Sequence, residues 1–262
     1  MSHRSSITAA RNSRRYFGVF RLGKTSTKKM VVVTGASSGI GLCLVRALLE
    51  EGYVVLGIAN NLAKAGLEHP NFIGRSINLA NLDALPDAMS ALVEGIDMPV
   101  KALINNAGIG RMGFLEQLSV KDIRLVMDTN LTSQVIVTKA FLPQLKKQGE
   151  GDILFMGSEA ALRGARQGSI YCASKFAIRG FSQALREESG KSGLRVTLIN
   201  PGAVRTPFFD RLQFEPEQSP ENAIEPEDIA QAVMVVLASR AGTVFDEITL
   251  SPRSQVWKKK GT

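Results

Sequence analysis

Two side chains in the middle of the sequence have the types and the spacing for proton transfer. Tyr171 and Lys175 are four residues apart, so on a helix they share a face. A free phenol, with a pKa of about 10, is a poor general base at neutral pH. An ammonium group beside it favours the phenolate, so the pair is expected to bring the tyrosine towards working pH as a proton carrier at a carbonyl or alcohol oxygen. Surface decoration of a helix is the ordinary alternative for such a pair.

A second segment near the start has a different chemistry. Thr34, Gly35, Ala36, Ser37, Ser38, Gly39, Ile40 and Gly41 follow a short apolar run. Gly35 permits a tight turn, Gly39 lets the backbone approach a pyrophosphate, and Gly41 allows a helix to pack closely on a strand, with amides at the helix N-terminus facing the anion. The spacing is Gly-x3-Gly-x-Gly rather than the Gly-x-Gly-x-x-Gly of the standard dinucleotide fingerprint. A plain βα turn is the alternative.

Bringing these segments together requires alternating strands and helices. Met30–Thr34 is a β-branched run of the kind that is buried on both faces of a sheet. Ile40, Leu44, Val45, Leu48 and Leu49 follow helical spacing and stop before Gly52. Further strands are expected over 54–58, 72–77, 102–104, 153–156, 196–199 and 244–250, with helices near 82–94, 119–147, 168–190 and 226–239. Ser119 with Asp122 three residues later, and Pro226 after Glu225, mark two helix starts. The alternation predicts an α/β fold: a Rossmann-type doubly wound parallel sheet of about seven strands with helices on both faces. Residues 30–250 form this single domain, and a ligand is expected beyond the C-terminal ends of its strands.

Other motifs follow in order: Leu103-Ile104-Asn105-Asn106-Ala107-Gly108, Asn130, Ser158, Tyr171-Cys172-Ala173-Ser174-Lys175, and the Pro201–Thr206 segment, with 13 residues from Ser158 to Tyr171. On these motifs the sequence resembles the short-chain dehydrogenase/reductase (SDR) family across the whole body. The resemblance implies an oxidoreductase that moves a hydride between NAD(P) and a CH–OH/C=O pair. It implies a catalytic set of Tyr171, Lys175, Ser158 and Asn130. Lys175 would also hold the nicotinamide ribose hydroxyls, Ser158 would hydrogen-bond the substrate oxygen, and Asn130 would anchor a water in a proton relay. For the cofactor, the resemblance places Thr34, Gly35, Ser37, Ser38, Gly39 and Gly41 in the phosphate-binding turn and Ile40 and Val204 near the nicotinamide. Pro201 and Gly202 would let the chain pass close by, and Thr206 would lie near the carboxamide or pyrophosphate. Asn105, Ala107 and Gly108 would lie near the adenosine ribose.

The choice of nicotinamide cofactor turns on Gly57-Ile58-Ala59-Asn60-Asn61. No acid follows the second strand to repel a 2′-phosphate, and Asn60 and Asn61 can donate hydrogen bonds to one. The family's usual Arg at the position of Asn60 is absent, and Ser38 replaces the basic residue of some NADP users. NADP(H) is favoured, with NAD as the alternative. Asn78 stands where the family generally has an Asp against adenine, and its amide oxygen can accept the same hydrogen bond.

Substrate contacts are expected after Thr206. The segment 207–214 offers three rings, Phe208, Phe209 and Phe214, of which Phe208 and Phe209 either line an apolar pocket or pack a lid, and the polar stretch 215–225, with Pro216 and Pro220, has the pattern of a mobile lid. Arg111, Arg163 and Arg205 lie in segments that converge on the site in such a fold, and one of them could hold a carboxylate. Solvated surface is the alternative for each. The stretch Asp246–Pro252 resembles the branch that includes 3-hydroxy acid dehydrogenases, so a hydroxy acid or small ketoacid is the first substrate reading. A broad aldehyde and ketone reductase is the second. A non-catalytic cofactor sensor is the third, and retention of both the tyrosine and the lysine argues against it.

Charge and composition exclude other classes. Of 32 Lys and Arg, eight fall in residues 1–29, where there is no acid, so the net charge of +8 belongs to this leader and the body is neutral. Nucleic acid is therefore not an expected partner. The Arg- and Ser-rich leader suits a mitochondrial presequence, or Met30 is the true start; a disordered tail is the third reading and a nucleic-acid contact the fourth. Cytoplasm is the default location, with the mitochondrial matrix as the alternative. Residues 251–262 are read as a short basic tail. Two Cys, Cys43 and Cys172, and two His, His3 and His69, provide no metal cluster, and both cysteines read as small buried helix residues. No apolar run of about 18 residues is present, so no membrane span is expected. The resemblance also implies a homodimer or homotetramer built on helices 119–147 and 168–190 and the last strand.

Overall fold

The computed structural model describes residues 28–260. The leader expectation thus falls almost wholly outside the described residues. Seven parallel strands form one sheet: β1 (Met30–Thr34), β2 (Val54–Ala59), β3 (Phe72–Ser76), β4 (Val100–Asn105), β5 (Gly151–Met156), β6 (Leu194–Pro201) and β8 (Glu247–Leu250), in the order β3-β2-β1-β4-β5-β6-β8. The order reverses between β1 and β4, which puts a crevice at the C-terminal ends of these two strands.

The short apolar strands form because each is covered twice. Met30 and Val32 of β1 enter one core, with Phe141, Leu145, Ile178 and Leu185, while Val31 and Val33 enter a second, with Leu44, Leu48, Ile229 and Val233. That is the period-two alternation of a strand between two helix layers. One layer holds α2 (Leu85–Glu94), α4 (Ser133–Gln148) and α5 (Ser169–Ser189), and the other holds α1 (Gly39–Glu50) and α6 (Pro226–Ala238). α3 (Val120–Met127) precedes α4. The expected start signals act as such: the Ser119 hydroxyl accepts from Asp122 N at 3.1 Å, and Pro226 is the first residue of α6, behind Glu225.

Three elements depart from expectation. The helix expected over 119–147 is interrupted by a π-helical turn at Asp128–Thr132, between α3 and α4. The last sheet strand begins at Glu247 rather than at 244; the preceding carbonyl of Thr243 instead accepts from Arg195. The tail is not loose. Trp257–Lys259 forms β9, antiparallel to β7 (Phe214–Pro216), so part of the lid and part of the tail make a small second sheet. Among the described residues, no helix is long and apolar enough to cross a membrane.

Candidate active site

The glycine turn links β1 to α1. Gly35 takes φ +70° and Gly39 φ +52°, and a Cβ on Gly41 would collide with the Gly35 carbonyl oxygen. The turn is buttressed from β4. Thr34 Oγ1 accepts from Asn106 N and Ala107 N, each at 3.0 Å, and Asn106 Nδ2 donates to Thr34 O at 3.0 Å. Ser38 is the N-cap of α1, and its side chain makes no capping bond. The first-turn amides of a twelve-residue helix therefore have no side-chain partner, which suits an anion.

This turn forms one end of a cleft of about 780 Å³. Gly35, Ser37, Ser38, Gly39 and Ile40 line it, as do Asn60, Asn78, Ala107 and Gly108. Ser158, Tyr171, Lys175, Pro201, Gly202, Val204 and Thr206 line it too, Thr206 packing against Gly39 of the turn. A dinucleotide fits this arrangement: an uncapped helix terminus at one end, neutral amide side chains beyond β2 and β3, and the tyrosine and lysine further along.

Four expected residues, besides Asn61, do not line the cleft. Thr34 and Gly41 shape the turn from behind. Asn105 is buried and donates to Thr138 Oγ1 at 3.0 Å, so it braces α4 and not a ligand. Its neighbour Asn106, which was not expected to take part, reaches the cleft instead. The fourth is Asn130, buried in the π-helical turn, where its Nδ2 donates to Ile109 O at 3.0 Å and to Ser174 Oγ at 3.1 Å and its Oδ1 accepts from Ile109 N at 2.8 Å. Its side chain clamps the segment that follows β4. Two further amides are partly engaged, as Asn78 Oδ1 accepts from Ala80 N and Asn61 Oδ1 from Ala63 N, each at 3.1 Å.

Tyr171 and Lys175 lie one turn apart on α5, as their spacing requires, and are 9% and 4% exposed. Their electrostatics differ from expectation. Burial pushes the Tyr171 phenol up to about 12, and the hydrogen bond with Ser158 offsets this only in part. Burial likewise brings Lys175 down to about 8. Lys175 Nζ donates to Met156 O at 2.8 Å and lies 5.7 Å from the centroid of the tyrosine ring. Without a ligand, loss of water around the phenol outweighs the nearby ammonium, and the tyrosine is a neutral acid rather than a phenolate.

The substrate end is aromatic. Phe208 lies 5.8 Å from Tyr171, ring to ring, and Phe208, Phe209, Phe214 and Trp257 all line the cleft. The three arginines proposed for a carboxylate each have an acidic partner: Arg111 with Asp122 at 3.4 Å, Arg163 with Glu159 at 3.5 Å and Arg205 with Glu225 at 3.1 Å. Arg111 and Arg163 line the cleft, and Arg205 does not. Gln255 and Trp257 also line the cleft, although the three lysines that follow Trp257 give this segment the composition of a solvated tail. Cys172 is buried, as expected. Cys43 is partly buried, and burial with the neighbouring Glu227 raises its thiol to about 12.

Comparison with known proteins agrees with this geometry. The model of the short chain dehydrogenase family matches residues 29–216. A sepiapterin reductase of Chlorobaculum tepidum is 32% identical over 256 residues, covering 87% of this chain and 97% of the relative. Human retinol dehydrogenase 8 is 32% identical over 208 residues, covering 77% of this chain and 67% of the relative. The structure of an alcohol dehydrogenase from the archaeon Thermococcus sibiricus, complexed with 5-hydroxy-NADP, superposes with a TM-score of 0.75 at 27% identity, covering 85% of this chain and 96% of that one. With its seven-stranded sheet and the family match over most of its length, the chain belongs to the short-chain dehydrogenase family, oxidoreductases that act on a CH–OH/C=O pair with NAD(P).

Proposed function

We propose that the protein reduces an uncharged aldehyde or ketone, and oxidises the corresponding alcohol, with NADP(H). The observation that carries this reading is the convergence of Tyr171, Ser158 and Lys175 on one cleft whose other end is the uncapped terminus of α1. A nicotinamide dinucleotide bound there supplies or accepts the hydride. Gly35, Ser37, Ser38, Gly39 and Ile40 hold its phosphates, Asn60 and Asn78 meet the adenosine end with Ala107 and Gly108, and Pro201, Gly202, Val204 and Thr206 flank the nicotinamide. NADP is favoured over NAD because no carboxylate follows β2, and the NADP analogue in the Thermococcus sibiricus relative supports this.

Tyr171, a neutral acid at working pH, donates its proton to the alkoxide that forms as the carbonyl is reduced. Ser158 hydrogen-bonds the substrate oxygen and the phenol, which favours the developing charge. Lys175 exchanges its protons near neutral pH, stabilises the phenolate left behind and contacts the ribose. Asn130 holds the Ile109 segment in place and so acts as a positioning residue. A second substrate reading, a hydroxy acid, would need Arg163, which lines the cleft but already pairs with Glu159 at 3.5 Å and donates to Gln255. The proposed partners are this small molecule and further copies of the chain, as a homodimer or homotetramer.

Tyr171→Phe removes the proton donor and keeps the ring. Its kcat for ketone reduction is expected to fall by roughly 10²–10⁴ while NADPH still binds. Wild-type turnover in this variant would overturn the assignment. Rates on uncharged ketones and on 3-hydroxypropanoate-type acids separate the two substrate readings, and a tenfold preference for NADH, roughly 1.4 kcal/mol, would overturn the cofactor.

A further inference from the structure

We infer that the C-terminal segment 251–260 is a wall of the substrate cleft, and that Trp257 selects carbonyl compounds carrying a flat apolar body, an aromatic ring above all. The inference deepens the proposed function and rests on Tyr171 as the reacting acid.

The composition of this segment suggests a solvated tail, but it is tied to the site along its whole length. Glu159, next to Ser158, accepts from Ser251 Oγ and, at 2.6 Å, from Gln255 Nε2. Ser254 N donates to Glu221 O at 2.9 Å and Glu217 N to Val256 O at 3.0 Å. Trp257 then pairs with Pro216 in the β7–β9 ladder, and Lys260 closes the segment by donating from N to Gln213 O at 3.0 Å and from Nζ to Phe209 O at 2.5 Å. The tail and the lid are thus joined to each other and latched beside the serine. Arg163 belongs to this latch too, donating to Gln255 Oε1 at 3.3 Å and pairing with Glu159, so it holds the tail rather than standing free for a substrate carboxylate.

The rings form a continuous path from the reacting acid to the tail. Phe208 lies 5.8 Å from Tyr171, Phe209 lies 5.4 Å from Phe208, and Trp257 lies 5.8 Å from Phe209 and 5.2 Å from Phe214. Phe208 is fixed from behind, because it packs so closely on Gly110 that a Cβ there would come within 2.6 Å of it. Yet Trp257, held by two rings, is still 47% exposed, and it lines the cleft. A half-exposed indole on a rigid backing is a stacking surface for another flat ring. Trp257 is three ring contacts from Tyr171, so contact with it calls for a body longer than a two- or three-carbon acid, such as an aryl group extending from the reacting carbon.

The test uses the full chain with acetophenone and propanal as substrates and 1-phenylethanol as a ligand. Trp257→Ala is expected to lower the ratio of kcat/KM for acetophenone over propanal by roughly tenfold, through KM for the ketone rather than kcat, and Trp257→Phe to restore most of it. An unchanged ratio in Trp257→Ala overturns the inference. Trp257 is the single tryptophan of the chain, so its emission reports the wall without turnover and without a variant. Saturating 1-phenylethanol is expected to shift or quench that emission in the wild type and equally in Tyr171→Phe. No change with either protein overturns the wall. A change in emission together with wild-type turnover in Tyr171→Phe would sink the assignment of the acid and leave the wall standing.

Discussion

At the residue scale, the distinction between nearness and burial decides what the tyrosine is. Tyr171 and Lys175 were legible because an α-helix makes residues four apart neighbours wherever it lies, and the glycine turn because only glycine suits its positive φ and tight packing. Burial was not legible, and burial governs the titration of both groups. Lys175 titrates at about 8 when folded, well below its ordinary 10.5, so between these values the unfolded chain binds more protons and stability rises with pH. The rise is at most about 3 kcal/mol. Tyr171, raised to about 12, acts in the opposite sense: the folded chain keeps the proton that the unfolded chain loses from 10 upward, and stability falls between these values. Cys43, raised from 9 to about 12, also lowers stability with pH from 9 upward. Urea unfolding of the wild type is therefore expected to show stability rising from pH 8 towards 9, levelling, and falling above 10. Lys175→Met should flatten the rise and keep the fall. A rise unchanged in that variant would show that Lys175 does not carry it.

At the element scale, long periodic patterns were readable and short paired ones were not. The apolar runs fall on sheet strands because burial on both faces leaves no polar positions to confuse with a helix. The π-helical turn has no signature, since the apolar spacing on either side of Asp128–Thr132 continues to read as helical. β7 and β9 are three residues each and find each other across some 40 positions, beyond any local pattern. Nor could spacing tell which of Asn105 and Asn106 faces the ligand, because that depends on where β4 ends. The π-helical turn matters because it turns Asn130 onto both backbone groups of Ile109, in the segment where Gly108 and Ile109 line the cleft. Asn130→Ala leaves that N–H and C=O without partners, at an expected cost of about 2–4 kcal/mol. Thermal melting should fall by roughly 5–10 °C, and KM for NADPH should rise as the cleft floor loosens. Unchanged melting with full loss of turnover would instead mark Asn130 as a participant in the proton relay.

At the scale of the whole molecule, the charge that dominates the composition is not where the chemistry is. Residues 1–27 hold six basic side chains and no acid, leaving 26 basic against 24 acidic residues in the remainder. Lys28 and Lys29 contact the body: Lys28 Nζ donates to Asn71 Oδ1 at 3.2 Å, Lys29 pairs with Glu150 at 2.8 Å, and Lys29 O accepts from Val54 N at 3.2 Å. We propose that the leader and the enzyme are separable at Lys28. A basic, acid-free sequence binds polyanions through counterion release, an effect that salt removes, whereas a near-neutral body has no such affinity. The full chain is therefore expected to be retained on heparin at low salt and to elute as salt rises. A chain beginning at Lys28 should pass through and keep its NADPH-dependent turnover and melting temperature. One beginning at Met30 should melt lower by roughly 2–4 °C, having lost the lysine carbonyl that completes β2 and the ion pair to Glu150. Retention of the Lys28 chain on heparin would place a basic patch on the catalytic body, and the assignment of the excess charge to the leader would then fail.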